Sequence, residues 1–207
     1  PEKHLHDITS FGRVDNQVAH ARSVLETVRK INAKNKIDFI LTPVWDVEGL
    51  ALVKHKVAPV ILSLMSPLKK VVETQWFNAN DPSYDITYDL EKFCVEHADA
   101  VMPISNNIKK TIGDLYGIDW QIIESEKNVE TIPLGVDSQF IMTEAAVDEW
   151  YKKSKENDNV EVLYVGRFER RKGIDLLLDV IPKILSEHKN VTFRLVGDNS
   201  GEDENGV

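Results

Sequence analysis

The chain has 207 residues, enough for one large domain or two small ones, and 42% of them are hydrophobic, an ordinary globular fraction. Its formal net charge is −9, and an acidic chain repels a polyanion, which argues against nucleic acid as a partner. No apolar run approaches the roughly 20 residues that span a bilayer, and the polar first 15 residues do not resemble a secretory signal.

Hydrophobic periodicity over the first 132 residues predicts helices that alternate with short apolar strands. Helices are predicted at residues 16–34, 47–56, 66–77, 82–97 and 106–116. Strands are predicted at residues 37–41, 59–64, 100–104 and 129–132. Alternation at this spacing is typical of a parallel α/β sheet.

The rhythm is interrupted after Pro133, and a second strand–helix–strand unit follows. A polar helix is predicted at residues 144–155, then a strand from residue 160, a helix at residues 174–188 and a strand at residues 191–196. We therefore expect a first domain at residues 1–135 and a second at residues 136–207. Two strands and one helix cannot cover both faces of a sheet, and Pro1 stands where an initiator Met would, so both domains are expected to be incomplete.

The second domain holds a cationic turn at residues 166–173 (GRFERRKG), between the end of a strand and the start of a helix. Ligands of open α/β sheets bind beyond the carboxyl ends of the strands, and a helix amino terminus adds N–H groups there. Gly166 allows close backbone approach, Arg167 can grip phosphate oxygens with two N–H bonds, and Lys172 adds a compact charge. The turn therefore predicts a diphosphate site, the alternative being a solvated basic turn that balances nearby acids.

Four segments resemble family 4 glycosyltransferases and occur in the order of that family. They are residues 98–105 (ADAVMPIS), 132–137 (IPLGVD), 166–178 (GRFERRKGIDLLL) and 191–197 (VTFRLVG). The resemblance implies a GT-B-like fold of two Rossmann-like parallel-sheet domains, the first on the acceptor side and the second binding a nucleotide sugar. It also implies that Arg167 and Lys172 bind the donor diphosphate.

As an expected activity, the resemblance implies sugar transfer from a nucleoside diphosphate to a hydroxyl acceptor, with retained anomeric configuration and no cofactor or obligatory metal. A growing glycan or a lipid-linked saccharide is the expected acceptor class. We expect a cytoplasmic protein, since there is one cysteine and no Cys/His cluster at zinc spacing, and peripheral contact with a membrane stays open.

The acceptor-side candidates follow the first two predicted strands. Asp46 and Glu48 come after the first strand, although Asp46 could instead cap the next helix. Met65 and Ser66 come after the second strand, where many family members carry a His near the reacting sugar. Methionine cannot accept a proton, so no catalytic residue is assigned. The family's glycine-rich loop and later glutamate pair are also absent, so the chain alone is expected to be inactive.

Other chemistry-bearing residues are expected to serve packing or the surface. Cys94 falls in the apolar stripe of a helix, and no histidine has a second ligand at metal spacing. Trp76 and Phe77 could face an acceptor but are expected to pack. Two further functions stay open: a nucleotide-sugar epimerase of similar fold, and a non-catalytic module that binds nucleotides or proteins.

Overall fold

The computed structural model describes residues 12–74, 81–155 and 158–198. The chain divides into two compact units, with the main division between Leu134 and Gly135. Within the described ranges, no helix is both long enough and apolar enough to cross a membrane.

The first unit alternates helices with short strands. Its helices are α1 (Gly12–Lys34), α2 (Leu50–His55), α3 (Leu68–Thr74), α4 (Pro82–His97), α5 (Asn106–Tyr116) and α6 (Trp120–Glu126). Its strands are β1 (Ile40–Pro43), β2 (Val60–Leu64), β3 (Ala100–Pro103) and β4 (Asn128–Val129). The structure thus confirms the predicted alternation.

The four strands form one parallel sheet in the order β1-β2-β3-β4. Ile40 pairs with Val60, and Ile61 pairs with Ala100. Val60, Leu62 and Leu64 alternate along β2 and are fully buried, so β2 supplies the centre of the core. All strand-end turns of this unit therefore leave from the same edge of the sheet.

Two predicted boundaries near the start of the sheet are wrong. The first strand was expected at residues 37–41 but begins at Ile40, because the Ile37 N–H donates to Asn32 Oδ1 (2.7 Å) and belongs to the end of the preceding connection. The next helix was expected from residue 47 but begins at Leu50, after a short 3-10 turn at Trp45–Val47.

The end of the first unit contains a helix that the periodicity does not predict. Helix α6 has seven residues and is capped by Asp119, whose carboxylate accepts the Gln121 N–H (2.9 Å). Strand β4 is shorter than expected, although the N–H groups of Glu130 and Ile132 still donate to carbonyls of β3. The predicted cap of α5 is confirmed, because Ser105 Oγ accepts the Ile108 N–H (3.1 Å).

The second unit has a two-stranded parallel sheet and two long helices. They are α7 (Glu144–Lys155), β5 (Val160–Val165), α8 (Ile174–Glu187) and β6 (Val191–Val196). Val160 pairs with Val191 and Val165 with Val196, so the two strands end at the same level. The predicted strand–helix–strand unit is confirmed.

Lys127 closes the carboxyl end of α4 from another part of the first unit. Its ammonium donates to the carbonyl oxygens of Glu96 (2.6 Å), Ala98 (2.8 Å) and Val95 (3.3 Å). A cation at this position satisfies carbonyls that the helix leaves unpaired and opposes the negative end of its dipole. Lys127 therefore ties the segment before β4 to the main helix of the unit.

We expect Lys127→Met to lower the free energy of unfolding by about 1.5–3 kcal/mol, since hydrogen bonds from a charged donor are lost while the aliphatic stem remains. Chemical denaturation followed by circular dichroism measures the change. Lys153→Met is the control, because the Lys153 ammonium pairs with Glu149 within α7 in an exposed position, where such a pair contributes little. Equal stability of the two variants would contradict the capping role.

Candidate functional site

The cationic turn of the second unit begins where β5 ends. The Gly166 N–H donates to the Val196 carbonyl (2.9 Å), and the Phe168 N–H donates to the Asp198 carbonyl (3.0 Å). The Tyr164 hydroxyl donates to the Arg167 carbonyl (2.9 Å) and so links β5 to the turn. The backbone that carries Arg167 is thus fixed on both sides.

Glu169 organises the arginines of this turn. Its carboxylate is almost buried, with 8% of the side chain exposed, and it pairs with Arg167 Nη1 (2.9 Å) and Arg171 Nε (2.7 Å). Arg167 remains 56% exposed. Since a guanidinium has five N–H donors, an anion can still bind Arg167 while Glu169 holds one edge of it.

Lys172 and the start of α8 add further positive potential. Lys172 is exposed and ends the short 3-10 turn Arg170–Lys172. Gly173 then adopts a left-handed conformation (φ 71°) directly before α8, whose first turn receives no side-chain cap from that residue. The amino terminus of a 14-residue helix, which attracts anions, therefore follows directly on Lys172.

The ends of β5 and β6 approach each other closely at two glycines. A Cβ atom built on Gly197 would lie 1.9 Å from the Gly166 carbonyl oxygen and 2.9 Å from the Phe168 ring. Only glycine fits there without moving the backbone. Glycine at position 197 therefore allows the close approach between the end of β6 and the start of the turn after β5.

In the first unit, the turn after β1 is strained. Asp46 (φ 56°, ψ 17°) and Val47 (φ 50°) both adopt left-handed conformations, which a β-branched residue such as valine rarely does. Val47 is buried, with 1% exposed, so packing holds it in place. Strain of this kind, about 1–3 kcal/mol for each residue, is characteristic of functional sites.

Asp46 does not cap a helix, so the helix-capping role that the sequence left open for it is wrong. Neither the 3-10 turn nor α2 receives a side-chain cap at its start. Instead, Asp46 Oδ1 accepts hydrogen bonds from Gln17 Nε2 (2.6 Å) and Arg13 Nη2 (3.3 Å) of α1. The Thr87 hydroxyl of α4 in turn lies 3.0 Å from Gln17 Oε1, so the carboxylate is fixed from two helices.

A polar cavity of about 490 Å³ opens beside this carboxylate. It is lined by Arg13, Asn16, Gln17, His20, Trp45 and Asp46. Trp45 is 39% exposed and offers an aromatic face, while the other lining groups are hydrogen-bonding side chains. The cavity can therefore hold a polar ligand that also has an apolar face.

The remaining acceptor-side candidates lie near the same edge of the sheet. The Glu48 carboxylate is partly exposed, 4.0 Å from His20 Nε2. Met65 and Ser66 are partly exposed and follow directly on β2, as predicted. Pro67 and Leu68, the residues after them, are buried and anchor this segment.

Cys94 is buried, as expected of a core residue, and burial raises the pKa of its thiol to about 12. His97 stacks on Phe93, with ring centroids 4.1 Å apart. The parts of the chain that the structure describes contain no group of three or more His, Cys, Asp or Glu side chains arranged for a metal ion. Trp76 and Phe77 lie outside the described residues.

Sequence reasoning missed the residues that hold the candidates in place. Arg13 and Gln17 lie 33 and 29 positions from Asp46, so no local spacing relates them. Glu169 had a readable signal, since it is the one acid within a cationic turn and two arginines flank it at i ± 2. Such an acid can fix the orientation of the arginine side chains as well as reduce the net charge of the turn.

Comparison with known proteins agrees with this arrangement. The sequence model of the family described as Glycosyl transferases group 1 matches residues 147–206, which include the whole cationic turn. The phosphatidylinositol N-acetylglucosaminyltransferase GPI3 subunit of Saccharomyces cerevisiae (strain YJM789) is 28% identical over 109 residues, 51% of this chain and 22% of that protein. A phosphatidyl-myo-inositol mannosyltransferase of Mycobacterium tuberculosis (strain CDC 1551 / Oshkosh) is 33% identical over 79 residues, 38% of this chain and 20% of that protein.

Solved structures show the same fold. Sucrose-phosphate synthase from Thermosynechococcus elongatus superposes with a TM-score of 0.56 and 20% identity, covering 88% of this chain and 51% of that one. The α,α-trehalose 6-phosphate synthase from Burkholderia multivorans gives a TM-score of 0.56 and 14% identity, covering 93% and 44%.

The two parallel-sheet units thus define an α/β protein of the GT-B class, as predicted. The resemblance to family 4 glycosyltransferases is confirmed as well, through the group 1 match at residues 147–206 and the two glycosyltransferases that share sequence with the chain. The aligned segments span only about a fifth of those two relatives.

We expect Gly197→Ala to destabilise the second unit by about 1–3 kcal/mol, because the added methyl group overlaps the Gly166 carbonyl oxygen and must displace backbone. Thermal unfolding of purified protein measures the change. Gly135→Ala is the matched control, since its Cβ would meet no atom within 4 Å. Similar melting curves for both variants would show that the strand ends tolerate separation.

Proposed function

We propose that the protein containing this chain transfers a sugar from a nucleoside-diphosphate donor to a hydroxyl acceptor. The observation that carries the proposal is the turn between β5 and α8, where Arg167 and Lys172 are both exposed in the segment that leads into the amino terminus of α8. A diphosphate presents several anionic oxygens at once, which matches two cations and a helix terminus. The family match over this turn supports the same assignment.

In the proposed reaction, the bond between the sugar and the diphosphate breaks, and negative charge grows on the leaving phosphate oxygens. Arg167 would hold two of these oxygens through parallel N–H bonds, and Lys172 would add a point charge. Groups placed where charge develops stabilise the transition state more than the ground state. We therefore propose that the diphosphate leaves without an obligatory metal, and that the sugar keeps its anomeric configuration.

For the acceptor side, we propose the polar cavity beside Asp46, together with the segment that carries Met65 and Ser66. The fixed orientation of the Asp46 carboxylate supports this assignment, because a rigid acceptor of hydrogen bonds can select one hydroxyl. The names of the two relatives contain phosphatidylinositol and phosphatidyl-myo-inositol, which favours a lipid-linked acceptor over a free glycan. A cytoplasmic protein in peripheral contact with a membrane would reach such an acceptor.

Neither alternative function gains support from a specific observation. The relatives named above transfer sugars, and no contact in the described residues favours an epimerase. A non-catalytic module remains distinguishable by experiment. It would bind a nucleoside diphosphate without turnover in the full-length protein.

We expect Arg167→Ala, in the full-length protein, to weaken binding of UDP or GDP roughly ten- to a hundredfold, since a charge-assisted contact contributes about 1.5–3 kcal/mol. Lys172→Ala should have a similar effect. Turnover should fall further than affinity, because the leaving-group charge is largest in the transition state. Calorimetric titration and a sugar-transfer assay measure the two quantities.

Arg170→Ala is the control, since Arg170 faces Asp175 at 3.7 Å and the family pattern requires no cation there. Arg171→Ala is unsuitable, because Arg171 shares Glu169 with Arg167 and its removal would disturb both. If Arg167→Ala binds nucleoside diphosphates as tightly as the unchanged protein, the turn has no diphosphate role and is a solvated basic turn.

We expect Asp46→Asn to lower kcat/KM for the acceptor about tenfold or more, because a charged hydrogen-bond acceptor is lost. Nucleoside-diphosphate affinity should be unchanged, because the contacts proposed for the diphosphate are Arg167 and Lys172. Steady-state kinetics with varied acceptor, paired with calorimetry, separates the two effects. Asp38→Asn, an exposed acid just before β1, is the control. Loss of nucleotide affinity in Asp46→Asn with normal acceptor kinetics would place Asp46 on the wrong substrate.

A further inference from the structure

A stripe of polar side chains runs along the buried face of α4. Ser83, Thr87 and Glu91 are four residues apart, and each is 0% exposed. Glu91 is the exceptional member, because a carboxyl group that is removed from water must be compensated by specific contacts. It also lies on the helix against which both acceptor-side segments are held.

Glu91 binds the start of the segment that follows β2. Its Oε2 atom accepts the Leu68 N–H (3.2 Å) and the hydroxyl hydrogen of Tyr116, the last residue of α5. Leu68 begins α3 directly after Pro67, which has no N–H to donate. The Leu68 N–H is one of the groups that a helix start leaves unpaired, and Glu91 supplies its acceptor from another helix.

The same carboxyl group interacts electrostatically with the turn after β1. Asp46 and Arg13 lie near enough to affect its pKa, the first raising it and the second lowering it. The groups that face Glu91 therefore come from four elements and from its own helix. They are Arg13 of α1, Asp46 of the 3-10 turn, the Leu68 N–H of α3, Tyr116 of α5, and Tyr88 and Cys94 of α4.

We propose that Glu91 is a positioning residue for the acceptor side, which holds residues 65–68 in place through the Leu68 N–H and Tyr116. The proposal rests on the function proposed above, since it assumes that Met65 and Ser66 contact the acceptor. As a carboxylate, Glu91 accepts stronger hydrogen bonds than as a neutral acid. Protonation therefore loosens the segment, and deprotonation fixes it.

The protonation state of Glu91 changes in an accessible pH range. Burial raises its pKa to about 7, although the bonds from Tyr116 and Leu68 oppose the rise. Because the folded-state pKa is raised, the protonated form adds stability below pH 4.5, and this contribution is lost as the pH rises towards 7. Above neutral pH, residues 65–68 are thus held by the carboxylate form, although the stability that protonated Glu91 contributes is lost there.

Hydrogen exchange at the Leu68 amide tests the proposal without reference to catalysis. In the full-length protein, we expect the protection factor of Leu68 to rise between pH 6 and pH 8, and to stay level in Glu91→Gln, which does not titrate. Glu96→Gln, a partly exposed acid on the same helix, should behave as the unchanged protein. Equal protection at every pH in Glu91→Gln and the unchanged protein would overturn the positioning role.

Kinetics adds the functional readout. We expect Glu91→Gln to raise the acceptor KM about two- to tenfold above pH 7, the effect of weakening one or two hydrogen bonds, with nucleoside-diphosphate affinity unchanged. Altered Leu68 protection with a normal acceptor KM would refute the assigned acceptor contact while leaving the diphosphate assignment intact. If the unchanged full-length protein does not bind a nucleoside diphosphate, the proposed function itself is refuted.

Tyr116→Phe provides an independent variant if substitution of Glu91 prevents folding. It removes one bond that lowers the pKa of Glu91, so the midpoint of Leu68 protection should move to higher pH. An unchanged midpoint in Tyr116→Phe would contradict the proposal as directly as the Glu91 variant.

Discussion

Parallel pairing is the constraint on which the rest of this structure depends. Every pair of strands in the described residues is parallel, so each strand must be followed by a crossover before the next one begins. The turns after β1 and β2 therefore leave the same edge of one sheet, and the cationic turn leaves the corresponding edge of the other. Candidate residues that are far apart in sequence, such as those after β1 and β2, therefore lie at one edge of a sheet.

Within each unit, acids decide how the functional groups are held. Glu169 keeps Arg167 and Arg171 in fixed directions, and the Asp46 carboxylate is itself held by Arg13 and Gln17. Pairing of this kind lowers the entropy that a ligand must remove on binding, although it also sets up competition between the protein carboxylate and an anionic ligand. The net charge of the chain predicts neither the lower entropy cost nor the competition, because both depend on individual contacts.

Local signals in the sequence were sufficient for most of the fold. Ser105 predicts the start of α5 through its side-chain cap, and the alternation of strands and helices predicts the sheet class. The hydrophobic period does not predict helix α6, because seven residues make only about two helical turns. The one local signal of its start is the capping residue Asp119. The partners of Asp46 and the role of Glu91 depend on contacts between distant elements, which periodicity does not encode.

The left-handed pair at Asp46 and Val47 has a consequence for attempts to make this protein more robust. Because strained residues store free energy, laboratory selection for heat tolerance would favour a residue at position 46 that adopts this conformation more readily, such as glycine. The same replacement would remove the carboxylate that Arg13 and Gln17 hold beside Trp45 in the cavity. Improved melting behaviour and a retained polar cavity would then be opposing goals at a single residue.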